Sequence, residues 1–200
     1  MRFSRLVVAF VLLLVPAAAF SEPLTTEDRE KLLEHLEKTQ DVFLASVDGL
    51  SDAQWNYRAA EGRWTIAEVA EHITAAESLL RGTAEGAMKE PAAEMPEDAR
   101  GDEFVLKVIP DRSKKFQAPE PLQPTNRYGS PAATLEEFRN QRATTIDLAK
   151  NGGDLRAYAA KGPTGKPLDA YGWILFTSAH TERHTKQIEE VKADPGFPKE

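Results

Sequence analysis

The chain has 200 residues, 41% hydrophobic and 28% charged, which is long enough and apolar enough to bury a core without covalent staples. Cysteine is absent, and this excludes disulfides, thiolate metal sites, iron–sulfur clusters, cysteine nucleophiles and a lipoprotein anchor. The net charge is −7, from 25 basic against 32 acidic residues without a basic stripe, which argues against nucleic acid, whose phosphates need clustered cations.

Residues 1–21 read as a secretory signal peptide. Arg2 and Arg5 give a basic start, Leu6 to Val15 an apolar run, and Pro16 breaks that run before Ala17, Ala18 and Ala19. The run is short for a bilayer, which takes about 20 apolar residues. Cleavage after Ala19 or after Ser21 satisfies the small-residue rule; the latter removes two arginines and no acid, leaving −9. The expectation is an exported protein, periplasmic or secreted and free of the membrane, with one domain over residues 22–200.

Four helices follow. The first spans about Thr26 to Val47, capped by Thr25 or Thr26, with Leu32, Leu36, Thr39, Phe43 and Val47 on one stripe. Thr65-Ile66-Ala67-Glu68 reads as a capping box opening the second, whose apolar face holds Val69, His72, Ile73, Ala76, Leu79 and Leu80. Thr134-Leu135-Glu136-Glu137 reads as the same box at the third, which carries Leu135, Phe138, Thr145, Ile146 and Ala149. The fourth starts near Leu168 to Tyr171 and runs to about Ala193, with Trp173, Phe176, Thr177, His180, His184, Ile188 and Val191 inward. Residues 91–131 hold seven of the 13 prolines and cannot be one helix; they are expected to wrap the bundle, with a short helical turn at Asp102 to Val108. No segment alternates like a sustained strand. The fold class is all-α, an up-down four-helix bundle with a long proline-rich crossover between its second and third helices.

The chain has four histidines: His35, His72, His180 and His184. His180 and His184 lie about 40° apart on a helix, one turn above the other. His72 falls on the inward face of the second helix by the same count. Three imidazoles converging from two helices match a three-histidine metal site, and neutral imidazole suits Zn, Ni, Cu or Fe rather than Mg or Ca. The same spacing is also met by hydrogen-bonded core histidines, so spacing leaves both readings open. His35, at the edge of the first helix's apolar face, is a boundary residue or a fourth ligand.

Other sites are excluded. No histidine follows a glutamate by three residues, so the Glu-x-x-His motif of di-iron bundles is missing. In His180-Thr181-Glu182-Arg183-His184, Glu182 sits about 200° from His180 and cannot serve as a zincin-type base. Gly162-Pro163-Thr164-Gly165-Lys166-Pro167 is too short for a phosphate loop and has proline where Ser or Thr is needed.

Four stretches resemble the DinB-like superfamily of metal-binding four-helix bundles. They are Leu50-Ser51-Asp52-Ala53-Gln54-Trp55, Gly62-Arg63-Trp64-Thr65 on to His72-Ile73, Leu168-Asp169-Ala170-Tyr171-Gly172-Trp173, and His180-Thr181-Glu182-Arg183-His184 on to Ile188. The resemblance covers about Thr25 to Pro195. It implies that His72, His180 and His184 hold a divalent transition metal, often nickel or zinc, with open positions for water. Its characterised members include thiol-dependent transferases and an isomerase, and its members often pair, so a homodimer is expected. The signal peptide and the long crossover depart from the family's cytosolic pattern.

A metal-dependent hydrolase or thiol-dependent transferase acting on a small molecule is the leading reading. The alternatives are a non-catalytic metal- or ligand-binding module of the cell envelope and a purely structural bundle. Glu68, one turn before His72, is the candidate base, with the capping of Thr65 as its competing role. Gln187 and Thr177 flank the histidine stripe, and each could orient ligand or merely pack. Trp64 is a candidate pocket wall or core staple. Arg142, near the inward stripe of the third helix, is a clamp for a substrate anion or a snorkelling surface arginine.

Overall fold

The computed structural model describes residues 23–92, 95, 101–162 and 165–199. The expected signal peptide lies outside them. Among the described residues no helix is long and apolar enough to cross a membrane.

The first helix, α1 (Thr26–Val47), begins as its sequence dictates: the Thr25 hydroxyl accepts from Asp28 N at 3.0 Å while the Asp28 carboxylate accepts from Thr25 N. The five predicted stripe residues are all buried. A short helix, α2 (Asp52–Trp55), starts on a Ser51–Gln54 capping box and buries Trp55. Helix α3 (Ile66–Ala87) opens on the predicted Thr65–Glu68 box. Leu79, expected on its apolar face, is instead 45% exposed.

The crossover contains α4 (Asp102–Val108), where a helical turn was expected, and a short 3-10 turn at Glu120–Leu122. Helix α5 (Pro131–Asn151) corrects the expected start at Thr134. Ser130 is the cap, accepting from Ala133 N at 3.2 Å, and Pro131 occupies the first helical position, where its missing N–H costs nothing. Thr134 lies within the first turn and donates its hydroxyl to Ser130 O.

A small antiparallel hairpin was not expected: β1 (Ala159–Lys161) pairs with β2 (Pro167–Asp169), Ala160 opposite Leu168. Three-residue strands leave no readable alternation. Beyond the strand pairs, Gly162 N donates to Lys166 O at 2.8 Å, both within the stretch rejected as a phosphate loop. Any side chain at Gly162 would collide with that same carbonyl. The hairpin delivers Asp169 as the cap of α6 (Ala170–Lys192), accepting from Gly172 N.

The four long helices form the expected bundle, in the ring order α1, α6, α3, α5. Their directions correct the simple up-down alternation. Tyr171 at the start of α6 donates to Asp28 O at the start of α1, and Lys192 at its end reaches Ser46 O, so α1 and α6 are parallel. Contacts of Thr74 with Thr134 and of Arg81 with Gln141 make α3 and α5 parallel. Arg63, just before α3, pairs with Glu190 near the end of α6, so those two oppose. The order is up, down, down, up. The crossover is long enough to return the chain to the end where α3 began, which a short loop could not do.

Buried side chains tie the crossover to the bundle at its middle and near its C-terminal end. Glu71 on α3, 5% exposed, accepts from Thr125 N at 2.7 Å, Asn126 N at 2.8 Å and Arg127 Nε at 2.9 Å. Arg183 on α6 donates to the carbonyls of Ile109, Asp111 and Lys114.

Candidate metal centre

His72, His180 and His184 meet between α3 and α6. His72 Nε2 lies 3.2 Å from His180 Nε2 and 3.2 Å from His184 Nε2. Nitrogens about 2.0–2.1 Å from a single ion stand roughly 3.0–3.4 Å apart for octahedral to tetrahedral angles, so the spacing already fits one ion. His72 and His184 are buried and His180 is half-buried.

The outer nitrogens explain why the inner ones face each other bare. His72 Nδ1 lies 2.9 Å from Leu122 O, and His184 Nδ1 lies 2.8 Å from Gln187 Oε1. Both partners are acceptors, so each Nδ1 carries the proton and each Nε2 presents a lone pair. Two lone pairs 3.2 Å apart repel unless a cation stands between them. This is the arrangement in which ligating histidines are oriented by outer acceptors.

Burial pushes His180 and His184 well below the ordinary imidazole range; the rings of His184 and His72 push His180 further down, and His72 does the same to His184 against the raising bond to Gln187. Burial also lowers His72, with Arg127 adding to it and the Leu122 carbonyl opposing it. The trio is neutral at pH 7, the state a metal requires.

Two aromatic side chains wall the cluster. The Trp64 ring stands 4.9 Å from His72, centroid to centroid, and Phe176 stacks on His180 at 6.3 Å. Trp64 thus flanks His72 and also packs against the apolar cluster that holds Phe43, Trp55 and Ile66.

The remaining candidates take other roles. Glu68 is the capping partner: one oxygen accepts from Thr65 N at 2.7 Å and the other from Arg58 at 2.8 Å. Thr177 is packing, its hydroxyl donated to Trp173 O. His35 is no fourth ligand; it lines a separate cleft of about 300 Å³ with Asp28, Lys31, Asp102, Lys107 and Tyr171. Arg142 is neither a surface arginine nor a clamp at the histidines. It is fully buried and paired with Glu77, with further bonds to Leu36 O, Thr39 and Thr181.

Sequence reasoning missed the contribution of the crossover. Leu122 supplies only a backbone carbonyl, which no sequence pattern advertises. Arg112 reaches Gln187 Oε1 at 3.1 Å from 75 residues away.

Residues 35–188 match the DinB superfamily. The uncharacterized protein YuaE of Bacillus subtilis (strain 168) is 29% identical over 149 residues, spanning 73% of this chain and 88% of that one. In structure, the chain resembles YfiT from Bacillus subtilis with a TM-score of 0.60 at 15% identity, over 89% of this chain and 93% of that one. YfiT is described as a probable metal-dependent hydrolase with an unusual four-helix bundle topology. With more than half of its length matched, and three histidines converging where that resemblance places them, this chain belongs to the DinB superfamily.

Proposed function

We propose that this protein is an exported metal-dependent hydrolase of small molecules, using one divalent transition ion held by His72, His180 and His184. The observation that carries the reading is the pair of bare Nε2 atoms facing a common point while both Nδ1 atoms are occupied by acceptors. Zinc or nickel suits three neutral imidazoles, with iron or copper next in line. A bound ion of this kind supplies Lewis acidity, acidifying water and polarising a substrate oxygen. The chain's own residues exclude bulk water from two of the rings and set their protonation. Trp64 and Phe176 offer apolar surface to a substrate at the half-buried His180. The description of YfiT as a probable hydrolase supports the reaction class. The segment at residues 1–21, basic at its start, apolar to Val15 and small-sided at Ala17 to Ala19, supports export.

One observation favours a second reading, a non-catalytic binding module. Glu68, the acid–base candidate, has both carboxylate oxygens engaged elsewhere. A thiol-dependent transferase would use the same three ligands with a thiol supplied from outside, since the chain has no cysteine.

Elemental analysis of protein purified from its host's envelope fraction, followed by assays on esters, amides and thiol–electrophile pairs, separates these readings. The hydrolase reading expects one ion per chain and ester or amide turnover that His180→Ala abolishes. Turnover only with added thiol makes the protein a transferase, and metal retention without turnover makes it a binding module.

A further inference from the structure

Gln187 Oε1 lies 2.8 Å from His184 Nδ1 and 3.1 Å from Arg112 Nη1. A glutamine can turn either its oxygen or its NH2 toward a neighbour, and a neutral imidazole can carry its proton on either nitrogen. A lone Gln–His contact therefore has two self-consistent arrangements. In one, the oxygen accepts from Nδ1–H and Nε2 holds a lone pair. In the other, the NH2 donates to a bare Nδ1 and the ring proton sits on Nε2, aimed at His72 and blocking the metal position.

Arginine has donors only. An NH2 turned toward Arg112 would set donor against donor, so Arg112 admits only the first arrangement. Arg112 is itself held in place: Nε and Nη2 donate to the two oxygens of Glu190 at 2.7 and 2.8 Å. Its side chain is 13% exposed. Glu190 stands three residues beyond Gln187 on α6, whereas Arg112 arrives from the crossover.

We propose that Arg112, seated on Glu190, is a positioning residue that orients the Gln187 amide and thereby keeps the His184 proton on Nδ1 and its Nε2 free for the metal. Docking of the crossover then sets the coordinating state of two histidines, through Arg112 for His184 and through the Leu122 carbonyl for His72. The metal half of the inference rests on the proposed function; the proton position is a property of the metal-free protein.

The test is long-range ¹⁵N imidazole NMR on the metal-free protein, held on the alkaline side of the imidazole range, with zinc affinity measured by chelator competition. Thermal melts followed by circular dichroism confirm that each variant folds. Wild type shows His184 as the Nδ1–H form. Arg112→Met shows a mixture of both forms, and its zinc affinity falls about 10- to 100-fold. Arg112→Lys, which keeps a donor, retains the Nδ1–H form. The double variant Arg112→Met/Gln187→Glu recovers that form, because a carboxylate has no donor to turn. An Arg112→Met protein that stays wholly Nδ1–H overturns the proposal, as does a double variant that stays mixed, since Arg112 would then act only by packing. Wild-type protein with the expected proton positions but no zinc uptake would sink the proposed function and leave the orienting role of Arg112 standing.

Discussion

Arg142 and Glu77 form a two-pronged ion pair in the middle of the bundle, with both bonds 2.8 Å and neither side chain exposed. The remaining guanidinium bonds go to Leu36 O and Thr39 on α1 and to Thr181 on α6, so one side chain of α5 touches all three other long helices. Thr181 adjoins His180, and this ties the centre of the bundle to the three-histidine cluster. Taking two ions out of water costs several kcal/mol each, which only such complete pairing offsets.

Removing one partner strands the other. Arg142→Met is expected to lower the unfolding free energy by about 3–5 kcal/mol in urea titrations. Glu77→Leu added to it should recover much of that loss, because no buried charge is then left unpaired. A double variant no more stable than the single one would show that the pair is not coupled in this way.

Glu71 gathers the amides of residues 125–127, three residues beyond the carbonyl that orients His72. Glu71→Ala leaves Arg127 without its carboxylate and is expected to speed hydrogen exchange across residues 120–127. Zinc affinity should drop about 10- to 100-fold as the Leu122 carbonyl loses its position. Exchange in α5 should hardly change, which separates local release from general unfolding.

Metal removal should cost stability. An ion that binds only the folded state adds about 2.7 kcal/mol at 100 times its dissociation constant. Differential scanning calorimetry should show the melting temperature rising with zinc and falling with a chelator. In His72→Ala the zinc-induced rise should largely vanish.

Asp28 predicts one component of acid sensitivity. The Thr25 hydroxyl, donating to its carboxylate at 2.7 Å, lowers the Asp28 pKa; burial opposes this, while the Thr25 amide, Arg156 and Lys31 add to it. A carboxyl lowered on folding contributes stability above its unfolded pKa of about 3.9 and loses it as pH falls through the folded value. Asp28→Asn is therefore expected to destabilise the protein near neutrality yet flatten the drop in melting temperature below about pH 4. An unchanged acid slope would count against this account.

Helix positions, inward stripes and the shared face of the histidines were legible because they depend on local rules. Leu32, Leu36, Thr39, Phe43 and Val47 recur at the helical period, and Thr65 with Glu68 announces a helix start from four residues alone. His180 and His184 share a face for the same reason. Where two local signals compete, local rules alone do not rank them: Thr134 and Glu137 imitate a capping box, but Ser130 with Pro131 lies one turn earlier and wins.

Periodicity specifies which side of a helix turns inward and says nothing of what waits there. Arg142 shows the difference: its place near the inward stripe could be counted, but only assembly brings Glu77, Thr39 and Thr181 around it. Helix directions, the carbonyl behind His72 and the arginine behind Gln187 likewise depend on where a long crossover docks. That docking is decided by contacts between residues 50 to 75 positions apart, and no local pattern records them.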